Sequence, residues 1–300
     1  MSADYALAIH GGAGAPPRDA QLAPTEAGLR ESLAAGEHVL AQGGSALAAV
    51  VAAVRVLESV PVFNAGRGSV LAASGEVLMD AAVMEGTSLR AGAVASVRRP
   101  AHPIEAALEV LRDGRHVLLC GEGADDFALA AGVAPAEPGS LVTSFRREQL
   151  ARVLSRAERG SGGGTVGAVA RDGGGHLASA TSTGGLVGKR SGRVSDSALI
   201  GCGTWADDRS CAISATGEGE YFIRTVFAHA VDTRLRHGET LDGACRGALA
   251  EVARLGGSGG CIAISADGAL ALPFDTPAMP RGVLRAGALA QIALAAGGLA

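Results

Sequence analysis

The sequence predicts an α+β fold with a mainly antiparallel sheet. Strand-like runs come in pairs around tight turns, and helical patterns come in runs between those pairs instead of alternating with single strands. A third observation is the composition, 48% hydrophobic but only 3% aromatic with 45 glycines, which calls for a core of Ala, Val and Leu with backbones lying close together.

Tyr5–His10 is a short apolar run that ends in Gly11-Gly12-Ala13-Gly14, a strand entering a tight turn. A helix is expected over about Thr25–Gln42. In a second, capped by Ser45, residues Leu47, Val50, Val51, Val54 and Leu57 recur at helical spacing. The glycine-rich loop Phe63–Gly68 leads into a hairpin, Ser69–Ala73 with Glu76–Met84, turning at Ser74-Gly75. Ala91–Val97 reads as a strand, Ile104–Leu111 as a helix, His116–Cys120 as a strand and Arg146–Glu158 as a polar helix. After the stretch GSGGG (160–164) come strands Thr165–Ala170 and Leu177–Thr183, then strand Ser210–Ala215. Helices near Glu220–Arg236 and Leu241–Leu255 follow, with a last hairpin of Cys261–Ser265 and Ala269–Pro273. The tail after Arg285 is Ala/Gly/Leu-rich and carries little signal. GSGGG is the one strong boundary, and it divides two segments of a single core.

Several function classes are excluded by the bulk numbers. A formal net charge of −4 gives no reason to expect nucleic acid or an anionic membrane as partner, and no run approaches a membrane span. The stretch MSADYALAIHGGAGAPP lacks a basic segment followed by an apolar one, so no secretory leader is expected. Five scattered cysteines without a CxxC fit reduced thiols and a cytoplasmic location. Seven histidines form no HExxH and no cluster with cysteine, which argues against catalytic zinc.

GSGGG alone reads as a flexible surface loop. The hairpin after it changes that reading. With Gly174 at its centre, Ala170 faces Ala178 and Thr165 faces Thr183, with paired Cβ atoms about 4.5–5.5 Å apart. Thr165, Gly167, Thr181 and Thr183 then share a face, and Gly167 is expected to leave open space beside the hydroxyls. A threonine hydroxyl needs a base. Cutting the Gly164–Thr165 bond creates one, because a free α-amine has a pKa of about 7.7–8.0 and accepts a proton near neutrality. A flexible glycine segment before the bond lets the hydroxyl reach its own preceding carbonyl. Threonine with its own amine is a recognised nucleophile.

With these residues in view, the chain resembles the plant-type L-asparaginase/isoaspartyl peptidase family of N-terminal-nucleophile hydrolases. The resemblance rests on LAIHGGAG, FNAGRGSVL, MDAAVMEG, GEGA, GTVGAVA, ATSTGG, GRVSDS, ATGEGEYFIR, GGSGG and ALPFDT, in order along nearly the whole chain. It implies a four-layer αββα sandwich, self-cleaved into an α subunit (1–164) and a β subunit (165–300) that stay together, in a dimer of αβ units. Thr165 matches the nucleophile and Thr183 its supporting hydroxyl. Arg193 and Asp196 match the pair that grips the substrate's α-carboxylate and α-ammonium, with Gly185 beside them. Thr216 and Gly217 match the oxyanion hole, and Asn64 lies near the nucleophile. Leu57, Glu58, Val60, Phe63, Ala65 and Arg67 match a loop that binds structural sodium through backbone carbonyls. No organic cofactor is implied. Ser195 and Ala198 stand where the family usually has Gly and Pro, which bears on substrate range.

Each site has a plainer alternative. Arg193 and Asp196 as an exposed pair would be worth ~0–1 kcal/mol, whereas a fork and a carboxylate suit an amino-acid head group. Thr216 can cap the helix that follows, which does not exclude oxyanion binding. Asp80 and Glu85 read as structural, and His10 as a buried hydrogen-bonding residue. A G-x-S-x-G match at Gly256–Gly260 would need a histidine after Ser258, but the last is His237. The expected reaction is hydrolysis of L-asparagine or of β-aspartyl dipeptides. The alternative of another class is an uncut, non-enzymatic amino-acid-binding homologue.

Overall fold

The structure, a computed structural model, describes residues 4–156, 164–295 and 297, so most of GSGGG and the end of the preceding polar helix lie outside the described residues. In chain order come β1 (Ala6–His10), α1 (Asp19–Ala41), α2 (Ala46–Ser59), β2 (Met79–Glu85), β3 (Ala91–Val97), α3 (Pro103–Asp113), β4 (Leu118–Cys120), α4 (Gly121–Ala130) and α5 (Ser144–Arg156). After Gly164 follow β5 (Val166–Arg171), β6 (Leu177–Thr183), β7 (Thr204–Ala206), β8 (Cys211–Gly217), α6 (Gly219–Thr225), α7 (Phe227–Arg236), α8 (Leu241–Arg254), β9 (Gly259–Ser265), β10 (Leu270–Ala271), β11 (Arg281–Arg285) and β12 (Gln291–Ala293).

An eight-stranded sheet, ordered β12-β11-β1-β5-β6-β2-β3-β4, faces a four-stranded one, ordered β10-β9-β8-β7. Among the named strands all pairs are antiparallel except β3 with β4. Helices α1, α2 and α3 cover the outer face of the large sheet, and α7 and α8 cover the small one. The result is the expected αββα sandwich. Central strands covered on both faces cannot alternate polar with apolar, which is why LAIH and GAVA read as continuous runs. Strands from either side of the Gly164–Thr165 bond interleave in one sheet, with β1 between β11 and β5.

Local chemistry sets the helix ends. The Ser45 hydroxyl accepts from Ala48 N and caps α2, which buries Val50, Val54 and Leu57, each worth about 1.5–3 kcal/mol. Pro103 opens α3, and Gly114 in the left-handed region closes it. Between the sheets the packing is partly polar. Thr204 donates to Thr181 at 2.7 Å, Thr181 and Ser214 lie 2.7 Å apart, and Ser214 bonds His10 at 3.0 Å, tying four strands together.

The structure departs from the sequence reading in a few places. Helix α1 starts at Asp19, ahead of Pro24, and the hairpin expected at 69–84 is reduced to one bridge, Leu71 to Val77, before β2. The span Glu220–Arg236 breaks at Val226, whose φ of 49° turns the chain so that Phe222 and Phe227 both bury, with ring centroids 4.7 Å apart. No helix among the described residues is long and apolar enough to cross a membrane.

Candidate active site

The β5–β6 hairpin has the register read from its turn. Ala170 pairs with Ala178 and Val166 with Ser182, which brings Thr165 level with Thr183. Thr165 is buried, and its hydroxyl donates to Thr183 Oγ1 at 3.2 Å. Thr183 Oγ1 accepts from Gly185 N at 2.9 Å and donates to the carbonyl of Gly164 at 3.3 Å. One expectation is corrected. Gly167 leaves no open space beside the hydroxyls, because Ser214 Oγ and His10 Nε2 fill the place a Cβ would take. The glycine serves the close approach of the two sheets.

The Gly164 carbonyl is held from a second side. Asn64 Nδ2 donates to it at 2.7 Å and to Gly185 O at 2.8 Å, while Asn64 Oδ1 accepts from Val70 N at 2.7 Å. Both amide hydrogens and the oxygen are thus used, which fixes the side chain's orientation. Gly164 has φ +86°, a conformation that other residues adopt only with strain. Gly12, in the turn after β1, packs so closely that a Cβ there would stand 2.7 Å from Gly164 Cα and 2.9 Å from Thr165 N.

His10 bonds Ser214, and burial pulls its pKa down to about 3, so it is neutral and structural as expected. Asp80 is also structural: its carboxylate accepts from Ser195 N at 2.7 Å and Ser96 N at 2.8 Å.

Arg193 and Asp196 lie together, since a side chain at Gly219 would run into both. Arg193 is not an exposed partner of Asp196. Its Nε and Nη2 fork onto Glu220 at 3.0 and 3.1 Å, which leaves the buried Nη1 without a partner beside Gly185. Asp196 Oδ2 is likewise buried and unpartnered. Burial pushes the Asp196 carboxyl up to about 7, against the pull of Arg193. A buried cation edge next to a buried carboxylate, both unpaired, is complementary to a zwitterion.

Sequence reasoning missed two charged residues here. Glu220 gave no sign of pairing with Arg193 across 27 residues. Lys189 Nζ donates to Leu78 O at 2.6 Å and Gly184 O at 2.8 Å, and burial lowers its pKa to about 8. Ser195 is buried, with its hydroxyl unpartnered, next to Asp196.

Thr216 does not cap α6. It closes β8 in the small sheet, and its Oγ1 accepts from Ala13 N at 2.9 Å, which leaves its own proton to donate. Ala13 follows Gly12, so this contact joins Thr216 to the turn that abuts Thr165 N. At Gly217 a Cβ would lie 2.5 Å from Ser258 O. The loop 57–67 closes on itself: Val60 N donates to Leu57 O at 3.3 Å, Phe63 N to Val60 O at 3.1 Å and Arg67 N to Glu58 O at 2.8 Å. The buried Glu58 carboxylate caps α3 through Ile104 N at 3.0 Å and accepts from Ser182 at 2.5 Å.

The chain matches the family described as asparaginase over residues 3–294. It is 44% identical to the isoaspartyl peptidase of Salmonella typhimurium over 293 residues, which covers 92% of this chain and 93% of that protein. The isoaspartyl peptidase of Escherichia coli is also 44% identical, over 92% of this chain and 91% of the relative. An isoaspartyl peptidase/L-asparaginase of Danio rerio is 40% identical over 90% of this chain and 89% of the relative. On these matches and on the fold, the chain is a hydrolase and belongs to the asparaginase family.

Proposed function

We propose that the protein cuts its own Gly164–Thr165 bond, giving segments 1–164 and 165–300, and then uses Thr165 to hydrolyse L-asparagine or β-aspartyl dipeptides. The observation that carries this reading is the grip on the Gly164 carbonyl. Asn64 and Thr183 both donate to it, and Thr183 also accepts the hydrogen bond of the Thr165 hydroxyl. Attack of Thr165 Oγ on that carbon passes its proton to Thr183 as Thr183 hands its own to the carbonyl oxygen, which Asn64 also holds. Collapse of the resulting carbinol gives that proton to the leaving nitrogen. The carbon–nitrogen bond breaks, an ester forms to Thr165 Oγ, and the nitrogen leaves protonated as an α-amine. Water then splits the ester, leaving a carboxylate on Gly164.

In turnover the same hydroxyl attacks the side-chain amide carbon of the substrate. The α-amine takes the hydroxyl proton and passes it to the leaving nitrogen, releasing ammonia or an amino acid. Thr216 and Gly217 serve the oxyanion. Water, deprotonated by the same amine, clears the β-aspartyl ester and restores Thr165. Arg193 Nη1 takes the substrate α-carboxylate and Asp196 Oδ2 its α-ammonium, beside Gly185. The names of the relatives support this choice of substrates.

The closed loop of Leu57, Glu58, Val60, Phe63, Ala65 and Arg67 suits structural sodium. Carbonyl oxygens are hard ligands. The buried Glu58 carboxyl beside them already faces His102 Nδ1 at 3.4 Å and its pKa is pushed up by burial, so the backbone carbonyls alone would hold the ion.

The test is an assay of ammonia release from L-asparagine and of amino-acid release from a β-aspartyl dipeptide, with Thr165→Ala as control. The parent should split and act on at least one substrate, while the variant stays one chain and acts on neither. A single uncut band with no turnover would favour a binding protein, and an active Thr165→Ala would remove Thr165 from the chemistry.

A further inference from the structure

A cleft of about 300 Å³ is lined by Gly164, beside the bond proposed to be cut, and Arg193 and Asp196 are not among its lining residues. Gly12, Gly164, Arg18, Phe145, Arg146 and Gln149 all line it. Gly12 is the residue packed against Thr165 N. The proton for the leaving group comes from that nitrogen, so the leaving group must lie within hydrogen-bond reach of it. The cleft borders that nitrogen through Gly12 and so offers room for a departing group.

The lining suits a carboxylate. Among the described residues it holds two arginines and no aspartate or glutamate. Both guanidinium groups lie over the Phe145 ring, 5.6 Å from its centre for Arg18 and 5.3 Å for Arg146. Arg146 is 4% exposed, and its Nε and Nη1 bond Gly68 O at 2.5 Å and Gln149 Oε1 at 2.9 Å. No acid side chain among the described residues pairs with it. In the uncut chain this buried cation is costly, and an anion relieves that cost, whether the Gly164 carboxylate left by cleavage or the carboxylate of an incoming substrate. The volume stands at the small end of ligand pockets and suits a single amino acid.

We propose that this cleft is a leaving-group subsite, in which Arg146, helped by Arg18, holds the free α-carboxylate of the residue released from a β-aspartyl dipeptide. The proposal rests on the reaction assigned above and narrows its substrate class. L-Asparagine releases ammonia, which has no carboxylate and gains nothing from the subsite. β-Aspartyl dipeptides gain an ionic contact at their far end.

The test uses the self-cleaved protein with L-asparagine, β-aspartyl-leucine and β-aspartyl-leucine amide, whose terminal charge is gone. Arg146→Met keeps the packed stem and removes the charge. It should raise KM for β-aspartyl-leucine by about tenfold or more, as loss of a charge-assisted contact does, and leave L-asparagine turnover within about twofold. The exposed Arg18→Ala should raise the same KM by less. In the parent the dipeptide amide should bind about tenfold more weakly than the free acid, a comparison that needs no variant. Arg146→Met should add nothing to that loss. Equal effects on L-asparagine and the dipeptide, or free acid and amide bound alike by the parent, would overturn the subsite and leave the reaction standing. A cleaved parent inactive on every substrate would overturn both.

Discussion

Thr183 Oγ1 accepts the hydrogen bond of the Thr165 hydroxyl and donates to the Gly164 carbonyl, so in the proposed reaction one hydroxyl would serve two steps. Thr183→Val keeps the β-branched shape but deletes both bonds, and should slow self-cleavage and turnover by roughly 10²-fold. Asn64→Leu removes a carbonyl donor while filling a similar space. Cleavage followed by gel densitometry should slow by about 10²-fold, as for the loss of one oxyanion donor. Parental cleavage rates in both variants would detach these side chains from the reaction. Asp196 gives a pH prediction. With its carboxyl pushed up to about 7, protons compete with the substrate ammonium below that pH. Aspartate, as product, should bind more weakly as pH falls from 8 to 6, approaching tenfold per unit below the pKa, by calorimetry. Affinity flat across that range would mean that Asp196 does not face the ammonium. The facing of Thr165 and Thr183 was legible in the sequence because a short turn fixes hairpin register. Glu220 was not, because nothing local marks an acid that meets Arg193 only after folding.

Among the elements, the turn after β1 has the largest share in the site. One side of it meets Thr216 through Ala13 N, and the other meets Gly164 and Thr165 through Gly12. Gly12 has φ +108° and no room for a Cβ, so Gly12→Ala must displace either the turn or the scissile peptide. Cleavage should slow by at least about tenfold with helix and sheet content unchanged by circular dichroism. An alanine variant that cleaves at the parental rate would show the turn to be a bystander. The sequence marked this turn by its glycines but not its partners. Hairpins with compact turns, such as β5–β6, and helices with clear caps, such as α2, were readable. The three-residue β7 and β12 were not, being too short to show a strand pattern, and the charged β11 was not, since it pairs with the distant β1. The break at Val226 answers to the burial of two phenylalanines, which outweighs local helix preference.

At the scale of the whole molecule, cutting after Gly164 severs a connection but no sheet. β1 from the first segment lies between β11 and β5 from the second, and β6 pairs with β2 across the same divide. That shared core explains why GSGGG reads as a boundary in the sequence while neither side of it is a separate domain. It also means that the candidate site draws on both segments, with Asn64 and Gly12 from one and Thr165, Thr183 and Arg193 from the other. The central claim is that the active species begins at Thr165. Intact-mass analysis with N-terminal sequencing of purified, active protein, never exposed to added protease, tests it most directly. The account predicts two polypeptides that co-elute under native conditions, one starting Thr165-Val166-Gly167. An active preparation made only of the uncut chain, or cut at another bond, would contradict it.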